Sequence, residues 1–200
     1  MENIQNLLIA ISLGIGLSAC CGFRIFIPLL ITNIASLLHF YHFSQGFEWM
    51  GSIIAFYVLL VATVLEISAY YIPWLDNALD YIALPIASIA GILLTTSLFG
   101  EANPIIKWIL GIIIGGGSAA VVHSGITLLR LGSTTTTGGI GNPVISTVEN
   151  ISAIVFSVLT LFIPIVIGVF ALIFIIFIGR KLIKKLTGRQ TINSPKDNIY

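Results

Sequence analysis

Long apolar runs, separated by short groups of polar residues, glycine and proline, make up most of this chain. The first run, residues 4–39, is too long for one straight span, since about 20 residues cross the hydrocarbon core. The segment "ACCGFRIFIP" interrupts this run around Arg24. We therefore predict two helices, over residues 4–20 and 24–39, with a break that is buried in protein or lines a cavity.

The later runs predict helices over residues 50–72, 73–99, 104–131 and 144–186. Between the last two, "GSTTTTGGIGNP" (132–143) has the composition of a loop. The final run is too long for a single span. We expect it to bend at Pro164, or its basic end to emerge from the membrane.

The composition restricts the chain to membrane proteins. Hydrophobic residues make up 57% of the sequence and charged residues 8%, whereas soluble domains carry about 25% charged residues. We predict an all-α polytopic helix bundle of about six membrane segments, some of them broken or re-entrant. It forms one membrane domain over residues 1–186, followed by a basic, disordered tail over residues 187–200.

Basic residues are concentrated after the last apolar run, at Arg180, Lys181, Lys184, Lys185, Arg189 and Lys196. By the positive-inside rule this end is cytoplasmic, and we place the protein in a bacterial inner membrane. Such a cluster next to a span is explained by topology and the lipid surface, so we expect no nucleic-acid partner.

Two pairs of segments resemble each other weakly: 16–22 with 116–122, and 72–87 with 142–157. The second pair aligns Asp80 with Asn150. Paired interrupted segments are typical of transporters built from inverted repeats. The spacing differs between the halves, so duplication and chance similarity both remain open.

Acidic residues are scarce, yet Glu66, Asp76 and Asp80 lie within "EISAYYIPWLDNALD". Asp76 falls in the first turn after Pro73, where the helix dipole favours a negative charge. That local role does not explain Asp80, which lies one turn deeper in the helix. It does not explain Glu66 either, which lies on the preceding apolar run. Carboxylates inside membrane segments usually face a partner or a water-filled cavity, so a polar site and interfacial capping are both open interpretations.

A second polar segment, "TTTTGGIGNPVISTVEN", carries Thr137, Asn142, Ser146 and Glu149. Ser146 and Glu149 have the spacing of a capping box, so these residues can simply begin the last helix. Alternatively, their oxygen atoms converge with the first three acids, as the ligands of a hard cation do.

Three basic or titratable residues lie in the apolar runs. Arg24 can act as the counter-charge of the acids. His123 is a packing residue or a proton relay, and Arg130 is expected to snorkel to the membrane surface.

The segments "GFRIFIPLL", "IPWLDNALD" and "STTTTGGIGNPVISTVEN" together resemble a family of small bacterial multi-pass membrane proteins catalogued as a domain of unknown function. The resemblance covers nearly the whole chain before the basic tail. It implies a membrane helix bundle but no established activity, so the function must be inferred from the residues.

The leading hypothesis is a small transporter or channel for a cation or a proton-coupled solute. Its polar centre would consist of Glu66, Asp76, Asp80, Glu149, Arg24 and Asn142, supported by His123, Ser146 and Thr137. The alternative is a membrane scaffold or assembly factor, and the third hypothesis is an intramembrane lipid-modifying enzyme. No catalytic residue, metal or cofactor is assigned, because Walker, dinucleotide and HExxH motifs are missing from the sequence. Expected partners are the bilayer, a cation or small solute, and further copies of the chain.

The orientation can be tested with a cysteine at position 194. We expect an impermeant thiol reagent to label Ser194→Cys only after the cells are permeabilised, because the basic tail is costly to translocate. Labelling of intact cells would reverse the orientation.

Overall fold

The computed structural model describes residues 2–100 and 103–190, and these residues form helices and turns without a strand. The helices are α1 Glu2–Phe23, α2 Phe26–Leu37, α3 Ile53–Ala69, α4 Pro73–Leu98, α5 Pro104–Leu110, α6 Gly117–Thr137, α7 Asn142–Phe162 and α8 Pro164–Gln190. A 3₁₀ turn, Glu48–Gly51, precedes α3, and a π-helical segment, Gly111–Gly116, joins α5 to α6. The predicted all-α class is confirmed.

Four of the described helical stretches are long and apolar enough to cross a membrane: Ile4–Phe23, Pro104–Thr137, Asn142–Phe162 and Pro164–Lys184. Three shorter apolar helices accompany them: Phe26–Leu37, Ile53–Ala69 and Ile82–Leu98. The sequence predicted about six segments because it treated the last run as one bent helix. In the structure this run forms two helices, since α7 ends at Phe162 and α8 begins at Pro164.

The predicted break in the first apolar run is confirmed. Helix α1 ends at Phe23 and α2 begins at Phe26. The chain turns back at this point, because Ile9 of α1 and Ala35 of α2 line the same groove. The turn leaves Arg24 at a helix junction inside the bundle.

The predicted loop over residues 132–143 is wrong for its first half. Helix α6 continues to Thr137, and Gly138 ends it with a left-handed φ of 64°. The threonines fit the helix because their hydroxyls bond backward: Thr136 donates to the carbonyl of Gly132, and Thr137 donates to that of Ser133. Only residues 138–141 remain as the turn before α7.

Helix α1 is the centre of the bundle and contacts α4, α6, α7 and α8. Each contact places a glycine against a neighbouring side chain: Gly14 against Thr95 of α4, Gly16 against Thr160 of α7, Gly22 against Val122 of α6, and Gly168 of α8 against Ser12. Small residues of this kind let membrane helices approach closely.

Helices α4 and α7 both run antiparallel to α1. Tyr70, just before α4, lies beside Arg24 at the end of α1, whereas Thr95 near the end of α4 packs on Gly14. In the same way, Asn150 of α7 bonds to Arg24, and Thr160 lies against Gly16.

The weakly similar segments therefore do not form an inverted arrangement. Helices α4 and α7, which carry one pair, run in the same direction. The π-helical segment, which continues into α6, is antiparallel to α4, since Gly115 packs on Gly91 and Gly111 packs on Thr96. It therefore runs parallel to α1, with which it shares the other pair.

Helix α8 continues to Gln190, so its last residues lie within the segment predicted as the basic tail. Residues 191–200, which include Lys196, lie outside the described part of the chain.

The π-helical segment gives a packing prediction. A methyl group at Gly115 would collide with the backbone carbonyl of Gly91, so we expect Gly115→Ala to destabilise the bundle by about 1–3 kcal/mol. The matched control is Gly117→Ala, because nothing lies within 4 Å of the added methyl group there. Thermal unfolding in detergent measures both variants, and equal midpoints would contradict the proposed close contact.

Candidate functional site

A buried ion-pair network lies where α1 ends, and its first member is Arg24. This side chain is 1% exposed. Its Nη2 atom lies 3.0 Å from Oε2 of Glu149, and its Nε donates to Oδ1 of Asn150 at 2.5 Å. The backbone carbonyl of Ser146 accepts a further bond from Nη2 at 3.3 Å. Three residues of α7 thus hold the arginine of the α1–α2 junction.

Arg130 of α6 is the second arginine of the network. Its Nε donates to Oε1 of Glu149 at 3.0 Å, and its Nη2 donates to Oε2 of the same carboxylate. The prediction that Arg130 snorkels to the surface is wrong, because the side chain is 3% exposed. The sequence placed this residue at the end of its helix, whereas α6 continues to Thr137 and keeps Arg130 inside the bundle.

Asp80 of α4 joins the network through Arg130, with 3.6 Å between Oδ1 and Nη1. Asp76, one turn earlier, has its backbone in the first turn of α4. The side chain of Asp76 lies outside the described part of the structure.

Tyr70, between α3 and α4, provides an aromatic surface for both arginines. The Cζ atoms of Arg24 and Arg130 lie over its ring, 4.0 and 4.4 Å from the centroid. Such cation–π contacts strengthen when they are shielded from water, and Tyr70 is 5% exposed. The ring therefore helps to fix the two guanidinium groups side by side.

Glu66 of α3 has a different role from the other acids. Its two carboxylate oxygens accept the backbone N–H groups of Ile25 at 2.7 Å and Phe26 at 3.1 Å. These groups belong to the start of α2 and have no intrahelical partner. Glu66 thus caps the helix that follows the break, immediately next to Arg24.

The remaining predicted oxygen ligands divide into two groups. Ser146 belongs to the network, because its hydroxyl accepts a bond from Nη2 of Arg130 at 3.2 Å. Asn142 and Thr137 instead stabilise the turn before α7: Asn142 donates to the hydroxyl of Thr134, and Thr137 accepts the N–H of Gly141.

The predicted capping box is wrong, because α7 begins at Asn142. Ser146 and Glu149 therefore lie inside the helix, and their side chains are available to the network.

His123 of α6 lies against the end of α1. Its Nδ1 is 3.3 Å from the carbonyl oxygen of Gly22, and the side chain is buried. His123 thus packs beside the α1–α2 junction and next to the network.

The charges of this centre nearly balance. The guanidinium groups of Arg24 and Arg130 are surrounded by the carboxylates of Glu149, Asp80 and Glu66. Within the described ranges, no group of three or more histidine, cysteine, aspartate or glutamate side chains is placed to hold a metal ion. The described residues of this centre form arginine–carboxylate pairs.

The family described as "Domain of unknown function (DUF4126)" matches residues 11–184. The chain belongs to this family. The matched region contains every residue of the ion-pair network. No curated protein and no solved structure matches the chain.

Sequence reasoning missed three residues of this DUF4126 centre: Arg130, Tyr70 and Asn150. Asn150 carried a signal, since the internal similarity aligns it with Asp80. The signal for Arg130 was weaker. If the threonines of "LGSTTTT" are taken as helical, the arginine before them lies inside the helix rather than at its end. For Tyr70 the sequence offers only its position four residues after Glu66.

The helix-capping role of Glu66 can be tested by its removal. We expect Glu66→Ala to lower the free energy of unfolding by about 1–3 kcal/mol, because one buried and one partly buried N–H group lose their acceptor. Glu48→Ala is the control, since Glu48 accepts the N–H of Gly46 at an exposed position. Denaturant unfolding in detergent compares the two variants, and a loss no larger than that of the control would reject the capping role.

Proposed function

We propose that this DUF4126 protein is a small membrane transporter whose buried network changes its pairing as a proton-coupled solute moves. The observation that carries the proposal is the position of Glu149, whose carboxylate is shared by Arg24 and Arg130. Ionisable residues inside membrane segments are costly and usually serve function. Buried ion pairs are also weak evidence for stability, since apolar packing of equal volume often serves as well.

The network connects the parts of the bundle that a transporter would have to move. Arg24 lies at the α1–α2 junction, Asp80 on α4, Arg130 on α6 and Glu149 on α7. Protonation of Glu149 would remove the negative charge on α7 that holds Arg24 of the α1–α2 junction and Arg130 of α6. One proton could therefore change the relative stability of two arrangements of these helices.

The proposed orientation places this network in the cytoplasmic half of the membrane. Helix α7 runs from the network to the opposite end, and α8 returns from there towards the network end. Arg180, Lys181 and Lys184 of α8 are exposed. The positive-inside rule assigns this end to the cytoplasm of a bacterial inner membrane.

The second candidate is a membrane scaffold or assembly factor. The scaffold function is favoured by the partners of the acids. Glu149 and Asp80 pair with arginines, and Glu66 accepts backbone N–H groups. In that case the network only fixes the helix arrangement, and no solute crosses the protein.

Flux measurements in liposomes separate the two functions. We expect the wild type to carry a flux of protons or of the imposed cation when a proton, sodium or potassium gradient is applied across the liposome membrane. Asp80→Asn should reduce it by about tenfold or more, because it removes the charge that faces Arg130. Glu48→Gln is the matched control and should transport normally. If the wild type carries no flux under any gradient, or if Asp80→Asn transports normally, the scaffold function replaces the transporter.

A further inference from the structure

We infer that Arg24 and Arg130 form a binding site for the carboxylate of a small apolar acid, and that Glu149 occupies this site in the present structure. The acid would replace Glu149 once Glu149 is protonated. The inference rests on the proposed transport function and names its substrate class.

The contacts of Glu149 are those of a bound carboxylate. Arg130 donates from two nitrogens to the two oxygens of Glu149, which is the bidentate geometry that makes arginine selective for carboxylates. Arg24 adds a third nitrogen, 3.0 Å from Oε2. A carboxylate carried by a solute could make the same three contacts.

Both arginines keep other partners when Glu149 is set aside. Arg24 retains its bonds to Asn150 and to the carbonyl of Ser146. Arg130 retains the hydroxyl of Ser146 and the carboxylate of Asp80. Both also remain over the ring of Tyr70. The donors are therefore held in place for an incoming ligand, which lowers the entropic cost of binding.

An apolar cleft reaches the same tyrosine. It has a volume of about 360 Å³ and is lined by residues of α3, α4 and the start of α2, among them Ala62, Leu65, Ala69, Ile82 and Ile86. Glu66 and Tyr70 form the polar part of its wall. Clefts of this size and lining suit small organic ligands. An aliphatic or aromatic body could lie in the cleft while its carboxylate faces the arginines beyond Tyr70.

The charge balance requires a proton for each exchange. Glu149 is faced by Arg24 from the α1–α2 junction and Arg130 from α6. Among the described side chains, the ionisable groups around this network also include Asp80 of α4, Glu66 of α3, Tyr70 and His123. With Glu149 charged, three carboxylates among the described side chains face the two guanidinium groups. An anionic ligand restores that same balance only when Glu149 takes up a proton and becomes neutral.

Benzoate is a suitable probe, because it joins a carboxylate to an apolar ring. Calorimetric titration of the full-length wild type in detergent should show benzoate affinity rising by about tenfold or more between about pH 8 and about pH 5. Benzoate stays ionised there, since carboxylic acids of this kind ionise near pH ~4, so the gain reports proton uptake by the protein rather than by the probe.

Variants identify the groups involved. Glu149→Gln should bind benzoate about tenfold more tightly than wild type near pH 8, with little pH dependence, because the competing charge is gone. Adding Arg130→Lys to it should weaken binding about tenfold, since lysine cannot make the bidentate contact. Adding Arg24→Lys should also weaken binding, since lysine lacks the planar donor group that contacts the carboxylate, Asn150 and Ser146 together. Glu48→Gln and Arg180→Lys, both at exposed positions, are the matched controls and should bind as their parents do.

Several outcomes would overturn the inference. If the benzoate affinity of the wild type does not rise as the pH falls, the inference is overturned, and this result does not depend on whether Glu149→Gln folds. Benzylamine binding better than benzoate would reverse the sign of the site, and chloride or phosphate competing equally would remove its selectivity for carboxylates. Flux that depends on Asp80 without benzoate binding would refute the site and leave the transporter. Benzoate binding without any flux would leave the site and refute the transporter.

Discussion

The interaction on which this structure depends is the shared carboxylate of Glu149 between Arg24 and Arg130. A guanidinium group buried among apolar helices is costly unless it is paired and hydrogen-bonded. Both arginines are almost completely buried, so each needs an anion within reach. Because one arginine lies at the α1–α2 junction and the other inside α6, a single carboxylate from α7 holds these two parts of the chain together.

This constraint explains the shape of the chain around it. Arg24 can reach α7 only because α1 stops at Phe23 and the chain turns back into α2. The turn exposes the first N–H groups of α2, and Glu66 accepts two of them. The glycines of α1 then let α4, α6 and α7 pack closely enough for their polar residues to meet at its end.

Much of the fold could be predicted from the sequence because its signals are local. Apolar runs gave the helices, and the polar interruption at Arg24 and the proline at Pro164 gave two of the breaks. The error over residues 132–137 is also local. Threonine and glycine are typical of loops, but these threonines bond to carbonyls one turn back and remain helical.

The site was predicted less completely, because its contacts join residues far apart in sequence. Four of the predicted residues do meet: Glu149, Asp80, Arg24 and Ser146. Charged side chains in apolar runs usually face the interior of the bundle, where they find each other. The predicted cluster of oxygen ligands assumed that the acids face each other. In the structure Arg130 lies among them, and it carries the positive charge that the hypothesis assigned to a cation. Neither apolar periodicity nor motif spacing encodes that contact.

The two aligned positions Asp80 and Asn150 show why Glu149 is the group most able to control this centre. Asp80 pairs with Arg130, and Asn150 accepts a bond from Arg24. Asp80 supplies a full negative charge, whereas the amide of Asn150 supplies only a dipole. The charge of Arg24 is therefore balanced mainly by Glu149, which at the same time binds Arg130 through both oxygens. Neutralising Asp80 would weaken one arginine contact, whereas neutralising Glu149 would loosen both arginines at once. For this reason the charge of Glu149, more than that of Asp80, links the α1–α2 junction and α6 to α7.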